Sequence, residues 1–402
     1  MASVYAIATM DTKGDEIGYV AECARNAGAE VTVVDVGTQS DALGSPDVSR
    51  ETVAACHEGG TDAVLGHTDR GEAVTVMGEA LCAYLLKEYA EGNVAGVIGI
   101  GGSGGTALVT PAMQALPIGV PKVMVSTVAS GNTEPYVGAC DITMMYSVVD
   151  VAGINRVSRQ VMGNAAHAIA GMVVNSVAEA EDKPTLGMTM FGVTTPCVTM
   201  VRETLEAEGY DCLVFHATGT GGQAMEKLVE SGMIDGVLDI TTTEVADEVV
   251  GGVFPAGADR MDRILDRGIP YVVSLGALDM VNFGAQDTVP EHFQNRNLYV
   301  HNAQVTLMRT TVEENRQFAE WIANKLNRST RPIRILIPEN GVSLIDAEDQ
   351  PFHDVDADTA LFETLESQIE QTSDRQIKRL AHNINDPEFA AALVASFKEV
   401  NG

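Results

Sequence analysis

Short β-branched runs alternate with amphipathic helical stretches from end to end, and this alternation restricts the fold more than anything else in the chain. Repeated strand–helix–strand units place helices on the faces of mainly parallel sheets. In the first half the strand candidates are VYAIATM (4–10), EVTVVDVG (30–37), VAGVIGIG (94–101), PKVMVST (121–127) and ITMMYSVVD (142–150). Helical stretches such as DEIGYVAECARNAGA and EAVTVMGEALCAYLLKEYAEG lie between them, ending in Gly28 and Gly92, where a left-handed C-cap is favoured. A long helical pattern over 155–181 follows and stops at EDKP. Pro184 cannot continue a helix, so the boundary falls there: a first domain over 1–183 and a second over 184–402. The second half restarts with strand candidates at 185–192, 211–218, 236–241, 271–279 and 332–341. Its helices fall at 196–208, 223–232, 243–250, 259–267, 311–327 and 386–399, while 280–310 reads as a long functional loop. The expected fold class is α/β: two doubly wound, mainly parallel-sheet, Rossmann-like domains facing each other across a cleft.

Charge narrows the partners. The chain of 402 residues has 56 acidic and 25 basic side chains, a formal net charge of −31. Such a surface repels phosphate backbones and anionic headgroups, so neither nucleic acid nor a membrane is an expected partner. With 45% hydrophobic residues, the chain has ample material for cores and is no disordered acidic tail. Lysine is scarce, 8 against 17 arginines, and an acidic, lysine-poor surface suits a salt-rich, halophilic cytoplasm, although a merely acidic enzyme has the same look. The opening MASVYAIATMDTKGDE reads as a first strand rather than a signal peptide, and no run reaches the roughly 18 apolar residues that span a bilayer. Six scattered cysteines without a C-x-x-C pair read as reduced core thiols, and no zinc or other metal site is expected from them. A cytoplasmic protein with a small-molecule ligand is the expectation.

The chemistry concentrates in glycine-rich turns. GIGGSGGT (99–106) follows an apolar strand directly; its glycines permit positive φ and close backbone approach, and the helix beginning near Gly104 adds its N-terminal dipole. Gly102, Ser103, Gly104, Gly105 and Thr106 therefore read as a phosphate cradle, in preference to a tight strand-to-helix turn with no ligand. The dinucleotide fingerprint also needs an acidic residue on the next strand, and PKVMVST has none, which disfavours NAD; no Lys-Ser or Lys-Thr follows, which excludes a Walker A loop. Other strand ends reach the same sheet edge. Thr12, Lys13 and Gly14 follow the first strand, Asp35 and Thr38 the second, and Thr127, Val128, Ala129, Ser130 and Gly131 the fourth. Taken singly, Lys13 and Asp35 read equally well as a surface charge and a helix cap. Arg70 and Glu72, at a helix entry, are either an anion contact or an Arg–Glu pair.

The second half offers weaker candidates. Thr218, Thr220, Gly221 and Gly222 form a second anion loop in HATGTGG. Thr243 and Glu244 read as a cap and a favourable first-turn acid. Asp279, Asn282, His301, Asn302 and Arg309 share loop-like contexts, with His301 as acid–base candidate, although taken alone it reads rather as a hydrogen-bonded structural histidine, and Arg309 as a phosphate-stabilising one. HDVDAD (353–358) reads as a solvated acidic loop, lacking the glycine and glutamate of a calcium loop.

With these residues in view, the chain resembles the family that includes the ATP-binding N-terminal domain of the tomato mosaic virus resistance protein. The resemblance rests on MDTKGDE, DVGT, RGEAV, GIGGSGGTAL, STVASGN, HATGTGGQAME, FPAGADRM, GALDMVNFG, HNAQVTLMRTT and IPENGVSLID, and covers nearly the whole chain. It implies a two-subdomain α/β fold, often dimeric, that binds ATP on its first subdomain. The ATP contacts it implies are Thr12, Lys13, Thr38, the loop from Gly102 to Thr106 and the loop from Thr127 to Gly131. The expected function is an ATP- and Mg²⁺-dependent enzyme, by phosphoryl transfer or ATP-driven activation, acting on a small carboxylated metabolite; the alternative is a nucleotide-binding regulatory or interaction protein without turnover.

Overall fold

The computed structural model describes residues 2–175 and 183–402. The chain divides into two compact units, Met1–Ala180 and Glu181–Gly402. In the first, one sheet is built from β1 (Ser3–Ala8), β2 (Val31–Asp35), β3 (Val94–Gly101), β4 (Lys122–Ser126) and β5 (Thr143–Tyr146). The order is β2-β1-β3-β4-β5, with every neighbouring pair parallel. All five expected strands are present. The last is shorter than its apolar run because Val148 leaves the extended region, with φ 66°.

Both faces of this sheet are covered. Along β1, Val4, Ala6 and Ala8 pack with Ile17 and Val20 of the helix Met10–Asn26 and with Ala166 and Ile169 of the helix Arg156–Val174. Tyr5 and Ile7 point the other way, onto Met77 and Leu81 of the helix Arg70–Ala90 and Leu108 and Met113 of the helix Ser103–Ala115. A period of two on the strand thus meets helical stripes on each side. Each fully buried Leu or Ile contributes about 1.5–3 kcal/mol. Gly28 and Gly92, past two helix ends, have the expected left-handed φ of 95° and 76°. The helix expected over 155–181 is seen as Arg156–Val174; positions 176–181 of that pattern lie outside the described residues.

The strand order creates the functional geometry. From β1 the chain moves outward to β2, then returns to place β3 on the other side of β1. The connections after β1 and β3 therefore diverge over the C-terminal edge and leave a crevice there, the usual ligand position in such sheets.

The second unit contains β6 (Thr185–Met190), β7 (Asp211–His216), β8 (Gly236–Thr241), β9 (Tyr271–Gly276), β10 (Met280–Phe283), β11 (Leu298–Asn302), β12 (Val305–Arg309), β13 (Ile333–Pro338) and β14 (Arg375–Leu380). Six form a parallel sheet in the order β14-β13-β9-β8-β6-β7, and three form an antiparallel one, β10-β12-β11. Both units are thus mainly parallel α/β layers. The stretch 280–310 is corrected from a functional loop to this antiparallel sheet; β10 is wholly buried and β11 largely exposed, so neither shows a half-buried alternation. HDVDAD is corrected as well. Asp354 caps the helix Val355–Gln368 through the Ala357 N–H, and Asp356 and Asp358 occupy its first turn, favourable with the dipole. Among the described residues no helix is long and apolar enough to cross a membrane.

Candidate functional site

Where β3 ends, the chain turns through Gly101 and Gly102 into the helix Ser103–Ala115. The Thr106 hydroxyl donates to the Gly102 carbonyl at 2.8 Å and lies 2.6 Å from the Ser126 hydroxyl, which accepts the Val128 N–H at 3.1 Å. This buried hydroxyl pair ties the turn after β3 to the short 3-10 turn Thr127–Ser130 after β4. Gly101 is needed for closeness, since a Cβ there would press on Gly105 Cα at 3.0 Å. Gly102 and Gly104 have no such reason. The nearest atoms to a Cβ on them would be Thr127 Oγ1 and Arg70 Nη2, each at 3.8 Å. Nor does the turn use positive φ, contrary to one of the two uses expected of its glycines. Packing and backbone within the chain therefore leave glycine at 102 and 104 unexplained. What glycine does provide there is bare, half-buried backbone at a helix N-terminus, whose first N–H groups lack intrahelical partners.

Cationic side chains stand at the same edge. Lys13 sits at a break in the helix Met10–Asn26 (φ −127°, ψ 22°), and among the described residues its ammonium makes no hydrogen bond or ion pair. Arg70 opens the helix Arg70–Ala90, exposed, with its guanidinium beside Gly104. The Arg70–Glu72 pair considered from sequence does not form, because Glu72 Oε2 lies 3.4 Å from His67 Nδ1. Thr12 is exposed after β1 and Thr38 half-buried after β2.

Two expected contacts turn out to be braces. Asp35 is buried, and its Oδ1 accepts the Met10 N–H at 3.0 Å and the Gly37 N–H at 2.8 Å, fastening the end of β2 to the start of the first helix. Burial raises its pKa despite these two donors. Gly14 is buried under the Leu43 carbonyl, which a Cβ would strike; it serves packing.

The second glycine loop is occupied from within. Gly219 and Gly222 donate their N–H groups to Glu244 Oε1 at 2.8 and 3.0 Å. The N–H groups of Thr218 and Thr220 are bonded to the His216 and Thr218 carbonyls. A Cβ on Gly221 would meet the His216 carbonyl, and one on Gly222 would meet Glu244. The anion in this cradle is therefore the chain's own carboxylate, which corrects the reading of Thr218, Thr220, Gly221 and Gly222 as an open anion loop. Glu244 in turn accepts Arg260 Nε at 3.0 Å, and Arg260 also binds Glu226 at 3.0 Å and Asp239 at 2.8 Å, all buried. Burial opposes the charge on Arg260, but the three carboxylates hold its pKa well above the usual value. Glu244 is thus a core ligand of Arg260 and not simply a first-turn acid, while Thr243 Oγ1 accepts Asn282 Nδ2 at 3.2 Å.

Of the remaining candidates, Asp279 and Arg309 meet in the core, where Arg309 Nη1 donates to the Asp279 carbonyl at 3.5 Å, while His301 and Asn302 stand apart from them on β11. Arg309 is buried; Nε donates to the Phe352 carbonyl at 2.6 Å, and Nη2 to Asp358 at 2.7 Å and Asp346 at 3.2 Å. This makes Arg309 a core cation, correcting its reading as a phosphate contact. Burial pushes Asp279 up to about 7 and Asp346 up to about 9. Asn282 is buried in β10, whereas His301 and Asn302 are exposed on β11.

The pattern of relatives can now be set beside this geometry. Residues 2–178 match the N-terminal domain, and residues 183–401 the C-terminal domain, of the Uncharacterised protein family (UPF0261). The chain belongs to that family. A family member from Rhizobium meliloti (strain 1021), "UPF0261 protein RA0729", is 54% identical over 400 residues, covering 100% of this chain and 99% of its own length. The "ToMV resistance protein Tm-1(GCR237)" of Solanum lycopersicum is 48% identical over 419 residues, covering 99% of this chain and 56% of its own. The "ToMV susceptible protein tm-1(GCR26)" of the same plant matches at the same 48% and the same coverage, so the likeness does not follow resistance. The chain spans just over half of those two plant proteins.

Sequence reasoning missed the Arg260 cluster as a unit. Its visible signal was Asp239, a carboxylate in the middle of the apolar strand GVLDIT, which needs a buried cation to be tolerated there. Val148 was missed too: a β-branched residue at φ 66°, 56% exposed, just past β5 at the same edge as the open turn.

Proposed function

We propose that the first unit binds ATP, with Mg²⁺, at the C-terminal edge of its sheet. The carrying observation is the turn from Gly101 to Thr106, where glycines 102 and 104 leave open backbone that the chain itself does not use. The phosphates lie against the N–H groups that begin the helix Ser103–Ala115, and Lys13 adds a point charge from the neighbouring strand end. Mg²⁺ would come with the nucleotide and would neutralise part of the phosphate charge. Ser126 and Thr106 hold the two turns in register, and Asp35 fixes the entry of the first helix. The resemblance drawn from the sequence motifs supplies the nucleotide; the open turn supports its phosphates.

In the same proposal the bound ATP drives a reaction on a small carboxylated metabolite, in a cytoplasm rich in salt, by a homodimer. Positioning and electrostatic stabilisation are what phosphoryl transfer chiefly needs, and a glycine cradle with unpaired cations provides both. A thermal-shift and turnover screen of ATP with Mg²⁺ against small carboxylic and sugar acids, at low and high salt, tests it, with light scattering for the dimer. Stabilisation by ATP with product formed is the expected result. Tight ATP binding without any turnover favours the regulatory alternative, and no stabilisation by ATP removes the proposal.

A further inference from the structure

We propose that the turn after β6, with His216 at the end of β7, binds a small carboxylate on the second unit. This rests on the small carboxylated metabolite named above and gives its carboxylate a seat. The test uses no nucleotide, so this site and the nucleotide site fail separately.

The six-stranded sheet reverses its direction of growth at β6. β7 lies on one side of that strand and β8 on the other, so the turns after β6 and β8 border a crevice at the C-terminal edge, where ligands of such sheets bind. Its floor is a pair of fully buried hydroxyls, Thr194 Oγ1 and Thr241 Oγ1, 2.7 Å apart. The turn after β6 is fixed from elsewhere in the unit: the Val193 carbonyl accepts the Leu344 N–H at 3.0 Å and Asn385 Nδ2 at 3.1 Å. Three glycines among the described residues have neither a positive φ nor any atom within 4 Å of an added Cβ, namely Gly18, Gly171 and Gly192. The first two lie inside helices, whereas Gly192 is exposed just past the end of β6. Nothing in the fold requires glycine there.

The donors at this turn lack an acceptor. Among the described residues the N–H groups of Gly192 and Val193, which precede the helix cap Thr194, make no hydrogen bond. The adjoining turn after β7 has the same need and meets it with the Glu244 carboxylate, on the N–H groups of Gly219 and Gly222. After β6 the chain supplies no carboxylate, although it has 56 acidic side chains. His216 stands alongside, in register with Met190 and with its ring edge-on to Phe191 at 5.3 Å. That ring makes no hydrogen bond or ion pair among the described residues. Its partial burial alone lowers its pKa, and no charged group on β6 or on the helices Thr195–Ala207 and Thr220–Glu230 acts on it. Two amides and a neutral imidazole, without a permanent cation, suit a single negative charge. A carboxylate accepts from the amides and draws a proton from solvent onto the imidazole, which then donates a charge-assisted hydrogen bond.

NMR of the histidine-labelled full chain tests the site, by titration with acetate, lactate and succinate, and with sodium chloride and acetamide as controls. His216→Gln identifies the His216 signal. That signal is expected to shift saturably with the carboxylates and its pKa to rise by about 1, while both controls leave it unmoved. Gly192→Val, whose side chain enters open space, should melt within a degree or two of the native protein and bind the same carboxylates at least tenfold more weakly. A His216 signal that ignores all three carboxylates, or follows chloride or acetamide equally, overturns the site. Undiminished binding in Gly192→Val overturns the part assigned to the turn after β6. ATP binding by a protein whose His216 stays silent leaves the nucleotide reading in place and removes only this one.

Discussion

Two turns in this chain look alike in sequence and differ in what fills them. GIGGSGGT and HATGTGG both carry glycines from the end of a parallel strand into a helix. At the second, Glu244 lies in the cradle, Gly219 adopts φ 80°, and side chains on Gly221 or Gly222 would strike the chain itself. Its glycines are explained by what the protein has placed there. At the first, Gly102 and Gly104 have no atom closer than 3.8 Å to an added Cβ and no unusual φ. A glycine-rich turn is therefore not itself a ligand signal; the signal is a glycine that the fold does not require.

This contrast makes its strongest prediction in the filled turn. Glu244→Ala removes the acceptor of two buried N–H groups and one ligand of Arg260, and should cost about 3–5 kcal/mol by denaturant unfolding. A cost below about 1 kcal/mol would mean that the carboxylate is incidental to the loop. In the open turn the expected effect falls on binding instead. Gly104→Val should melt within a few degrees of the native protein, yet bind ATP about a hundredfold more weakly, because the branched side chain covers the backbone. Undiminished ATP affinity in that folded variant would remove the cradle. Lys13→Ala should weaken ATP about tenfold with little change in stability, as befits a single half-buried charge that the chain itself does not pair.

A smaller, pH-dependent difference separates the buried acids of the second unit from the open site. Asp247, Asp279 and Asp346 are raised by burial from 3.8 to about 7, 7 and 9. An acid raised in the folded state holds its proton more tightly there than in the unfolded chain. Its contribution is complete below about pH 4 and is lost as pH rises through the folded values. Protection of buried amides in β8 and β9 from hydrogen exchange, corrected for the intrinsic rate, should accordingly decline between pH 5.5 and 9. Constant protection would mean that these carboxyls are ionised in the core throughout.

Most of the fold was legible because its parallel strands are continuous apolar runs flanked by turn residues. Where the sequence reading failed, tertiary partners had overridden local appearance. β14, RQIKRL, carries three cations on a sheet edge, where charge is tolerated and deters edge pairing, so its polarity hid it. The helix Val355–Gln368 was hidden by acids that are in fact its cap and first turn. At the site, the glycines and the flanking Thr12, Lys13 and Thr38 could be read from the order of motifs. That Asp35 is a brace and that Arg309 is a core cation depended on partners 25 to 49 residues away, which no local pattern reveals. Arg70 was visible only as a charge at a helix entry, and its approach to Gly104 depended on the fold.

The comparison of the two turns is open to one direct measurement: amide hydrogen exchange of the full chain with and without saturating ATP and Mg²⁺. Added protection is expected in peptides spanning Gly102–Thr106, with no change in those spanning Gly219–Gly222, whose N–H groups are already bonded to Glu244. No change at the first turn, or new protection at the second, would contradict the assignment of the phosphates to the open turn.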